Sequence, residues 1–378
     1  MKKFNVISLV ACGVLLSSSM AFGSNTIDSA FKNGKASGSF ALYGEKHDKK
    51  NNVKDSGFGN GNAAIAYETD SLYGFTAKAE FKGNLGLGEI EKYDRANGNN
   101  SPFENNALMT EGYLKYANDK FSLSAGRQAI YLEWIGDYNE AVVAAITAIP
   151  DTVIVLGYTD RQAESGFDKS TDFREITEKG AYVIDVKYTG LTSVEFNPYA
   201  YSAPDAVDFY GLKTKFSTDM FGAIAHYAES NVDEVFGLAN GVEDGSIGHV
   251  ELNTTIKDFK AAIGYIKTDK NGGVGAMNAY GDNISPFDTG YSTYDPNAKT
   301  TYASIGYEIL GVELGALYGE TKYCIDFKET ELNLTASYPI TESLTAEILY
   351  GNVNADEKEA NADKVDDKYV LASVEYKF

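Results

Sequence analysis

The sequence predicts an all-β protein, a transmembrane antiparallel β-barrel of eighteen strands. Charged and apolar residues alternate with period two along many segments of about ten residues, which is typical of barrel strands. Short turns alternate with longer polar connections along the 378 residues. The chain is rich in Tyr (27), Phe (20) and Gly (37) and poor in Pro (7). Together these observations favour one large all-β unit.

The alternation is clear between Phe75 and Lys82 and again between Val370 and Phe378. A Lys or Arg that faces the middle of a lipid bilayer costs about 2–4 kcal/mol. We therefore expect the charged faces of these strands to meet water inside a closed barrel. Soluble sheets with one solvated face show the same alternation, so the interpretation depends on the long series of such segments.

The strand number follows from the turns. Longer polar connections are predicted at 83–106, 160–179, 229–246, 268–299 and 352–367, and residues 24–34 are expected to form a short turn or helix. The segment 140–148 alternates poorly, but it is apolar enough to be a strand and makes the number even, as required when both ends lie in the periplasm. The eight short turns are predicted at 69–71, 118–120, 149–152, 189–191, 217–219, 257–259, 310–312 and 339–341.

The N-terminus has the features of a secretory signal peptide. Lys2 and Lys3 precede an apolar stretch over 6–16 and small residues over 17–23, and this stretch is too short to span a membrane as a helix. We expect cleavage after Gly23, which leaves one barrel domain over 24–378 and implies export to the bacterial outer membrane. A lipoprotein box at Cys12 is the alternative, but the apolar run continues past that residue. Cys324 would then be the remaining cysteine, an ordinary strand residue.

Composition excludes other classes of protein. The net charge of −21 argues against nucleic-acid binding, which needs a cationic face. The mean hydropathy of −0.28 argues against a helical membrane protein. No cofactor and no metal site are predicted, because His226 and His249, on neighbouring predicted strands, are better interpreted as polar wall residues than as metal ligands.

Several segments resemble the OprD-like (Opr) outer-membrane porins. They are TIDSAFKNGKASGSF, DSLYGFTAKAEFKG, EGYLKYANDKFSLSAGRQ, AIPDTVIVLGYTDRQ, TTYASIGYEI, GVELGALYGETKY and the ending VLASVEYKF. The matches extend over about 26–378, and GRQ followed by IPDT is fairly specific. The resemblance implies an eighteen-stranded barrel for passive uptake of small hydrophilic solutes, with a constriction loop folded inward. Here the segment 131–139 is shorter than the corresponding loop of that family.

The candidate pore constriction consists of Arg127, Glu133 and Asp137. Glu133 and Asp137 lie on the expected inward loop and would present carboxylates to the lumen, and the arginine of the GRQ segment would oppose them. Strict alternation from Leu123 and Ala125 places Arg127 on the lipid face, so a bulge or a position near the rim must be assumed. The alternative interpretation is that Arg127 has only a structural role at the rim of the barrel.

The candidate pore-wall residues follow from alternation and have mixed sign. Simple solvation of the wall is the alternative for each of them, and the net acidity favours a preference for cations. Trp134 and the many Tyr residues are better interpreted as interfacial anchors than as a sugar-stacking surface, although Trp134 falls on the expected inward loop. The wall residues are Lys78, Glu80, Lys82, Glu111 and Lys115.

The terminal Phe378, with Tyr376 two residues before it, is similar to the signal that the barrel-assembly machinery reads in this class. The expected partners are therefore that machinery, outer-membrane lipid with lipopolysaccharide, and small hydrophilic solutes; both a monomer and a homotrimer remain open. The sequence predicts no enzyme. The alternatives are a phospholipase- or protease-like barrel, for which His47 in the predicted first loop is a candidate, and a structural or adhesive barrel.

Overall fold

A computed structural model describes residues 23–50, 53–96, 101–271, 281, 283–324, 326–355 and 366–378. The predicted signal peptide over 1–23, including Cys12, lies almost entirely outside the described residues, as does most of the predicted connection 352–367. Within the described ranges the chain forms one antiparallel sheet that closes on itself, because the first strand (Lys35–Lys49) pairs with both the second (Ser56–Glu68) and the last (Asp367–Lys377).

Eighteen strands of the described chain make the barrel wall, which confirms the predicted fold class and strand number. A further element, β8 (Arg174–Glu175), is a two-residue ladder beside the end of β7. The wall strands are β1 (Lys35–Lys49), β2 (Ser56–Glu68), β3 (Phe75–Glu89), β4 (Ala107–Ala117), β5 (Phe121–Ala129), β6 (Tyr138–Ile146), β7 (Thr152–Ala163), β9 (Ala181–Leu191), β10 (Val194–Ala203), β11 (Val207–Ser217), β12 (Phe221–Val232), β13 (Gly245–Ile256), β14 (Phe259–Thr268), β15 (Lys299–Ile309), β16 (Val312–Tyr323), β17 (Phe327–Pro339), β18 (Leu344–Asn354) and β19 (Asp367–Lys377).

The poorly alternating segment 140–148 is largely strand β6, as predicted. Several predicted boundaries were wrong, as was one residue assignment. Strand β3 continues to Glu89 through a Gly-rich stretch, so the connection begins near residue 90 rather than 83. Strand β9 reaches Leu191, so its turn lies at 192–193. Cys324 lies in the turn after β16 with φ of 53° and is not a strand residue.

Two short helices flank the wall. Helix α1 (Ile27–Lys32) follows an N-cap at Thr26, and it falls within the segment 24–34 that was predicted as a turn or helix. Helix α2 (Glu234–Asn240) begins at the capping residue Asp233 and ends at Gly241, which has the left-handed conformation that glycine favours. No helix among the described residues is long and apolar enough to cross a membrane.

The two faces of the wall differ in chemistry. Large apolar side chains such as Leu42 and Ile65 are 61% and 60% exposed on the outer face. The alternate positions hold buried polar groups, among them Asn60, Thr110 and Glu111. An apolar outer face with a polar interior is the pattern of a membrane-spanning barrel.

Candidate functional site

The connection between β5 and β6 folds into the barrel, and we call residues 130–137 the first inward loop. Its ends are joined by a hydrogen bond from the Ile130 amide to the Asp137 carbonyl, 2.8 Å long. A second bond of 2.9 Å, from the Leu132 amide to the Ile135 carbonyl, closes a tight turn at its tip. The loop is thus short but internally ordered.

Glu133 anchors this loop to the far wall. Its carboxylate accepts two hydrogen bonds, 2.8 and 2.9 Å, from Lys213 Nζ on β11. His226 Nδ1 on β12 lies 3.6 Å from the same carboxylate. Burial alone would raise the pKa of Glu133, but the attraction of Lys213 outweighs it and holds the pKa below its usual value. Glu133 is therefore an ion-paired anchor inside the barrel.

Trp134 is fully buried in the interior and is not an interfacial anchor, so that interpretation was wrong. Its indole Nε1 donates to the Tyr199 hydroxyl at 2.8 Å, and its ring meets Phe209 edge-on at 6.3 Å between centroids. A buried indole needs such a hydrogen-bond acceptor. The aromatic contacts fix the first inward loop against β10 and β11.

Asp137 ends the first inward loop with φ of 59°. Its side chain is exposed, and it forms no ion pair with the residues that the structure describes. The crowded wall around it and the carboxylate of Glu164 raise the pKa of Asp137 to about 6, even though the group still reaches water. Asp137 thus carries a titratable carboxylate at the end of the first inward loop.

A second connection enters the barrel, where the sequence predicted only a long polar connection at 268–299. We call residues 283–298 the second inward loop. The Glu331 carboxylate on β17 accepts bonds from the Thr289 amide (3.1 Å), the Thr289 hydroxyl (2.6 Å) and the Gly290 amide (3.0 Å). Glu329 accepts from the Ser292 amide (3.3 Å) and hydroxyl (3.1 Å).

The apolar residues of the second inward loop are buried in the interior. Ile284, Phe287 and Tyr294 are between 2% and 6% exposed. These apolar residues within a long polar connection, together with two Glu residues spaced by two on β17, were the sequence signal that could have located the loop. The two inward loops also touch, because the side-chain Nδ2 of Asn283 donates to the carbonyls of Leu132 and Glu133 at 2.8 Å each.

A third connection is tied to the wall by Arg95, which is 7% exposed and was also missed. Its guanidinium donates to the side-chain oxygens of Asn60 (3.0 Å) and Asn106 (3.1 Å), and it stacks on the Phe103 ring at 4.1 Å. A buried guanidinium usually needs such satisfied donors. Arg95 and Phe103 of this connection are therefore packed against the wall at the end of the barrel where the long loops lie.

The five predicted wall residues lie together on the inner face of β3 and β4. Lys78 pairs with Glu111, and Lys82 lies 4.0 Å from Glu80 and bonds the Tyr138 hydroxyl. Lys115 is only 8% exposed. A bulge between Glu80 and Phe81 shifts the register of this pair of strands. The structure thus brings together charges of both signs, largely neutralised in pairs.

Arg127 lies apart from Glu133 and Asp137. It forms the last pair of the β4–β5 ladder, opposite Gly112, and the β5–β6 ladder opposite Glu140 shows no register shift. Its side chain therefore lies on the same face of the wall as that of Leu123, at the rim of the barrel. Its guanidinium binds Glu140 at 2.8 Å, donates to the Met109 carbonyl at 3.1 Å and stacks on Phe173.

A cavity of about 670 Å³ opens at the end of the barrel where the long connections lie. Carboxylates outnumber cations among its charged lining residues, so the entrance carries a negative potential. The lining carboxylates are Glu45, Glu104, Glu164, Asp168, Asp172 and Glu175, and the lining cations are Lys169 and Arg174.

His226 and His249 face each other across β12 and β13. Each ring Nε2 lies within hydrogen-bond distance of a tyrosine hydroxyl, Tyr199 at 2.6 Å and Tyr302 at 2.8 Å. In the described part of the chain, no group of three or more metal-ligating side chains lies close enough together to hold a metal ion.

His47 lies within β1 and not in a loop, which corrects its predicted place. Its Nδ1 is 2.7 Å from Asp367 and its Nε2 is 3.7 Å from Glu45. The ring stacks on Tyr369.

The C-terminal residues close the wall. Phe378 exchanges backbone hydrogen bonds of 3.0 and 3.1 Å with Gly38, and its ring stacks on Phe40 and on Tyr376. Phe378 is 50% exposed on the outer side. Tyr376 and Phe378 therefore lie at the seam, where the first and last strands pair.

Neither a family model nor a curated protein matches this chain. Solved structures do. OccK8 (OprE) of Pseudomonas aeruginosa has a TM-score of 0.74 at 12% identity and covers 93% of this chain and 99% of its own. OccAB1 of Acinetobacter baumannii has a TM-score of 0.72 at 12% identity over 94% and 99% of the two chains. OccAB4 of that species has a TM-score of 0.69 at 15% identity over 91% and 98%. The chain therefore shares the fold of the OprD-family outer-membrane barrels, as the sequence resemblance predicted.

Proposed function

We propose that the chain is an outer-membrane porin through which small hydrophilic solutes and ions diffuse passively. The observation that carries the proposal is a closed barrel with an apolar outside and a charged inside, narrowed by two loops anchored to the inner wall. Such a wall excludes lipid from the interior, and the loops limit the width of the aqueous path. The fold shared with OccK8 (OprE) and OccAB1 supports this function.

We further propose a preference for cations. Asp137 contributes a carboxylate without an ion pair among the described residues, and the acidic entrance would concentrate counter-ions. Glu133 contributes by holding the constriction in place rather than as a free charge, because Lys213 neutralises it. The ion pairs on β3 and β4 would keep the inner wall hydrated and would present charges of both signs. Arg127 is not assigned to the constriction, since its guanidinium forms an ion pair with Glu140 at the rim.

Planar-bilayer recording of the purified protein tests the proposal. We expect stable conductance steps and, in a KCl gradient, a reversal potential of the sign that indicates cation selectivity. A protein that inserts but conducts no current would contradict the porin function. Anion selectivity would contradict only the proposed charge preference.

The enzyme alternative has less support. A hydrolase of this architecture would need a nucleophile activated by a histidine. In the described residues, the polar groups that the rings of His47, His226 and His249 contact are carboxylates and tyrosine hydroxyls. A protein that conducts no current but shows phospholipase or protease activity in the same preparation would favour that alternative.

Export and assembly belong to the same proposal. Residues 1–23 would direct secretion, and the barrel-assembly machinery would read Tyr376 and Phe378 at the seam. The apolar outer face would contact outer-membrane lipid and lipopolysaccharide, as a monomer or as a homotrimer. Mass spectrometry of the mature chain and crosslinking in native membranes test the cleavage site and the oligomeric state.

A further inference from the structure

Helix α1 is fixed to the outside of the barrel at the end where the short turns lie. The Ser24 hydroxyl donates to the Asp70 carboxylate at 2.7 Å, and the Asp70 amide donates to the Ala30 carbonyl at 3.0 Å. The Tyr73 hydroxyl donates to the Asn25 carbonyl at 3.3 Å. The segment that carries α1 is thus packed along the turn between β2 and β3.

The position of Tyr67 shows on which side of the wall the helix lies. Tyr67 is on β2, and its cross-strand partners are Ala36 and Ala79, which belong to the outer face. Its hydroxyl donates to the Phe31 carbonyl at the end of α1. Because Tyr67 points away from the interior, the helix it holds lies outside the lumen.

The helix is amphipathic. Ala30 is buried against the turn, and Ile27 and Phe31, four residues apart, lie on the adjoining arc. Ile27 is 65% exposed and Phe31 is 57% exposed. Asp28 and Lys32 form a polar arc that adjoins Phe31, so the exposed surface of the helix has one apolar side and one polar side.

We propose that α1 is an interfacial anchor whose Ile27 and Phe31 side chains insert into the phospholipid leaflet at the short-turn end of the barrel. The proposal rests on the membrane location in the proposed function. The exposed arc continues the apolar outer face, since Ile65, Tyr73 and Phe75 nearby are 60%, 74% and 47% exposed. Lys32 on the polar arc would lie at the level of the lipid phosphates.

The same geometry favours lipid over the other possible occupants of this face. A plug of the pore would need the helix on the inner side of the wall, which the contact with Tyr67 opposes. A helix parallel to the bilayer surface with its apolar arc a few ångströms into the acyl region is a known mode of membrane anchoring. Aromatic residues such as Tyr73 favour the same depth.

Tryptophan scanning in lipid tests the proposal. The variants Ile27→Trp and Phe31→Trp probe the apolar arc, Asp28→Trp probes the polar arc, and Leu42→Trp serves as the lipid-facing reference on β1. Each full-length protein is purified and reconstituted into phosphatidylethanolamine–phosphatidylglycerol vesicles whose acyl chains are brominated at positions along their length. The native Trp134 supplies a background that the unsubstituted protein measures, and all four side chains lie on the outer surface of the protein, so folding should be retained.

We expect brominated lipid to quench Ile27→Trp and Phe31→Trp by a factor similar to that for Leu42→Trp. Asp28→Trp should respond to aqueous acrylamide instead. Acrylamide quenching of the Ile27 and Phe31 variants would overturn the anchor, and resistance to both quenchers would overturn it in favour of a protein contact. If Leu42→Trp itself escapes brominated lipid, the membrane location fails, which separates failure of the proposed function from failure of the anchor.

Discussion

Glu133 and Lys213 are 80 residues apart in the chain, yet their charged groups lie 2.8 Å apart inside the barrel. The contact joins the loop after β5 to β11, which lies on a different part of the wall. Their side chains are only 9% and 12% exposed, so water screens the pair weakly. Breaking a buried pair from one side leaves an uncompensated charge and costs about 3–5 kcal/mol.

We predict that Lys213→Met releases the first inward loop. The unpaired Glu133 would leave the wall to reach water, since its attraction to Lys213 is lost. Single-channel recording should then show greater open-channel noise and a higher conductance. Lys215→Met is the matched control, because Lys215 lies 3.6 Å from Glu195 and does not hold a loop. Equal noise in the two variants would argue against an anchoring role for the Glu133–Lys213 pair.

Asp137→Asn should weaken cation selectivity. It removes the charge that lies on the first inward loop without an ion pair among the described residues, and it preserves the size of the side chain. The reversal potential in a KCl gradient should move toward zero, while the conductance changes little. Asp219→Asn, on an exposed short turn, is the control and should leave the reversal potential in place. An unchanged potential in Asp137→Asn would remove this residue from the selectivity filter.

Cation selectivity should also depend on pH. The pKa of Asp137 is raised to about 6, so the group is ionised well above that value and neutral well below it. Acidification from neutral pH through about 6 should therefore reduce cation selectivity. Asp137→Asn should show a much smaller change over the same range. A pH response that persists in full in the variant would assign it to other carboxylates.

Trp134→Ala should loosen the first inward loop more than Trp134→Phe. Truncating a fully buried aromatic side chain to Ala costs about 3–5 kcal/mol, whereas Phe loses mainly the hydrogen bond to Tyr199. Since the wall is held together by the hydrogen bonds between its strands, we expect thermal unfolding in detergent to change little. The loss should appear as higher conductance and as faster protease cleavage within 130–137. Cleavage that is equally slow in both variants would contradict this view.

Glu331→Gln should free the second inward loop. A glutamine keeps one acceptor oxygen but turns an NH₂ group toward backbone amides, so at least one bond to Thr289 or Gly290 is lost. We expect more frequent transitions between conductance levels. Glu347→Gln is the control, because Glu347 contacts Ser337 on the wall rather than an inward loop. Identical recordings from both variants would show that Glu331 does not hold the second inward loop in place.

The wall could be predicted from the sequence because each strand carries its own signal. Alternation and turn residues are local, so even the weak segment around β6 was found by counting. The boundary of β3 was missed because its Gly-rich end, Gly83 to Gly88, is held by pairing with β2 rather than by strand propensity.

The interior could be predicted only in part. The resemblance pointed to the first inward loop, but the partners of Glu133 depend on how the closed sheet brings β11 and β12 to face it. The second inward loop and the burial of Trp134 depend on contacts between distant segments, which no local period encodes. Arg127 differs, since alternation alone placed its side chain on the outer face of the wall and the ladder opposite Glu140 keeps that register.

The hydrogen bonds between β1 and β19 make the first and last strands of the wall neighbours, with Ser39 to Lys49 paired to Lys377 to Asp367. The cylinder can therefore be sealed only after β19 has been delivered to the wall. A chain that lacks this strand would leave two open sheet edges, whose unpaired amides and carbonyls are severely penalised in lipid. Loss of β19 should thus be as damaging as loss of the first strand.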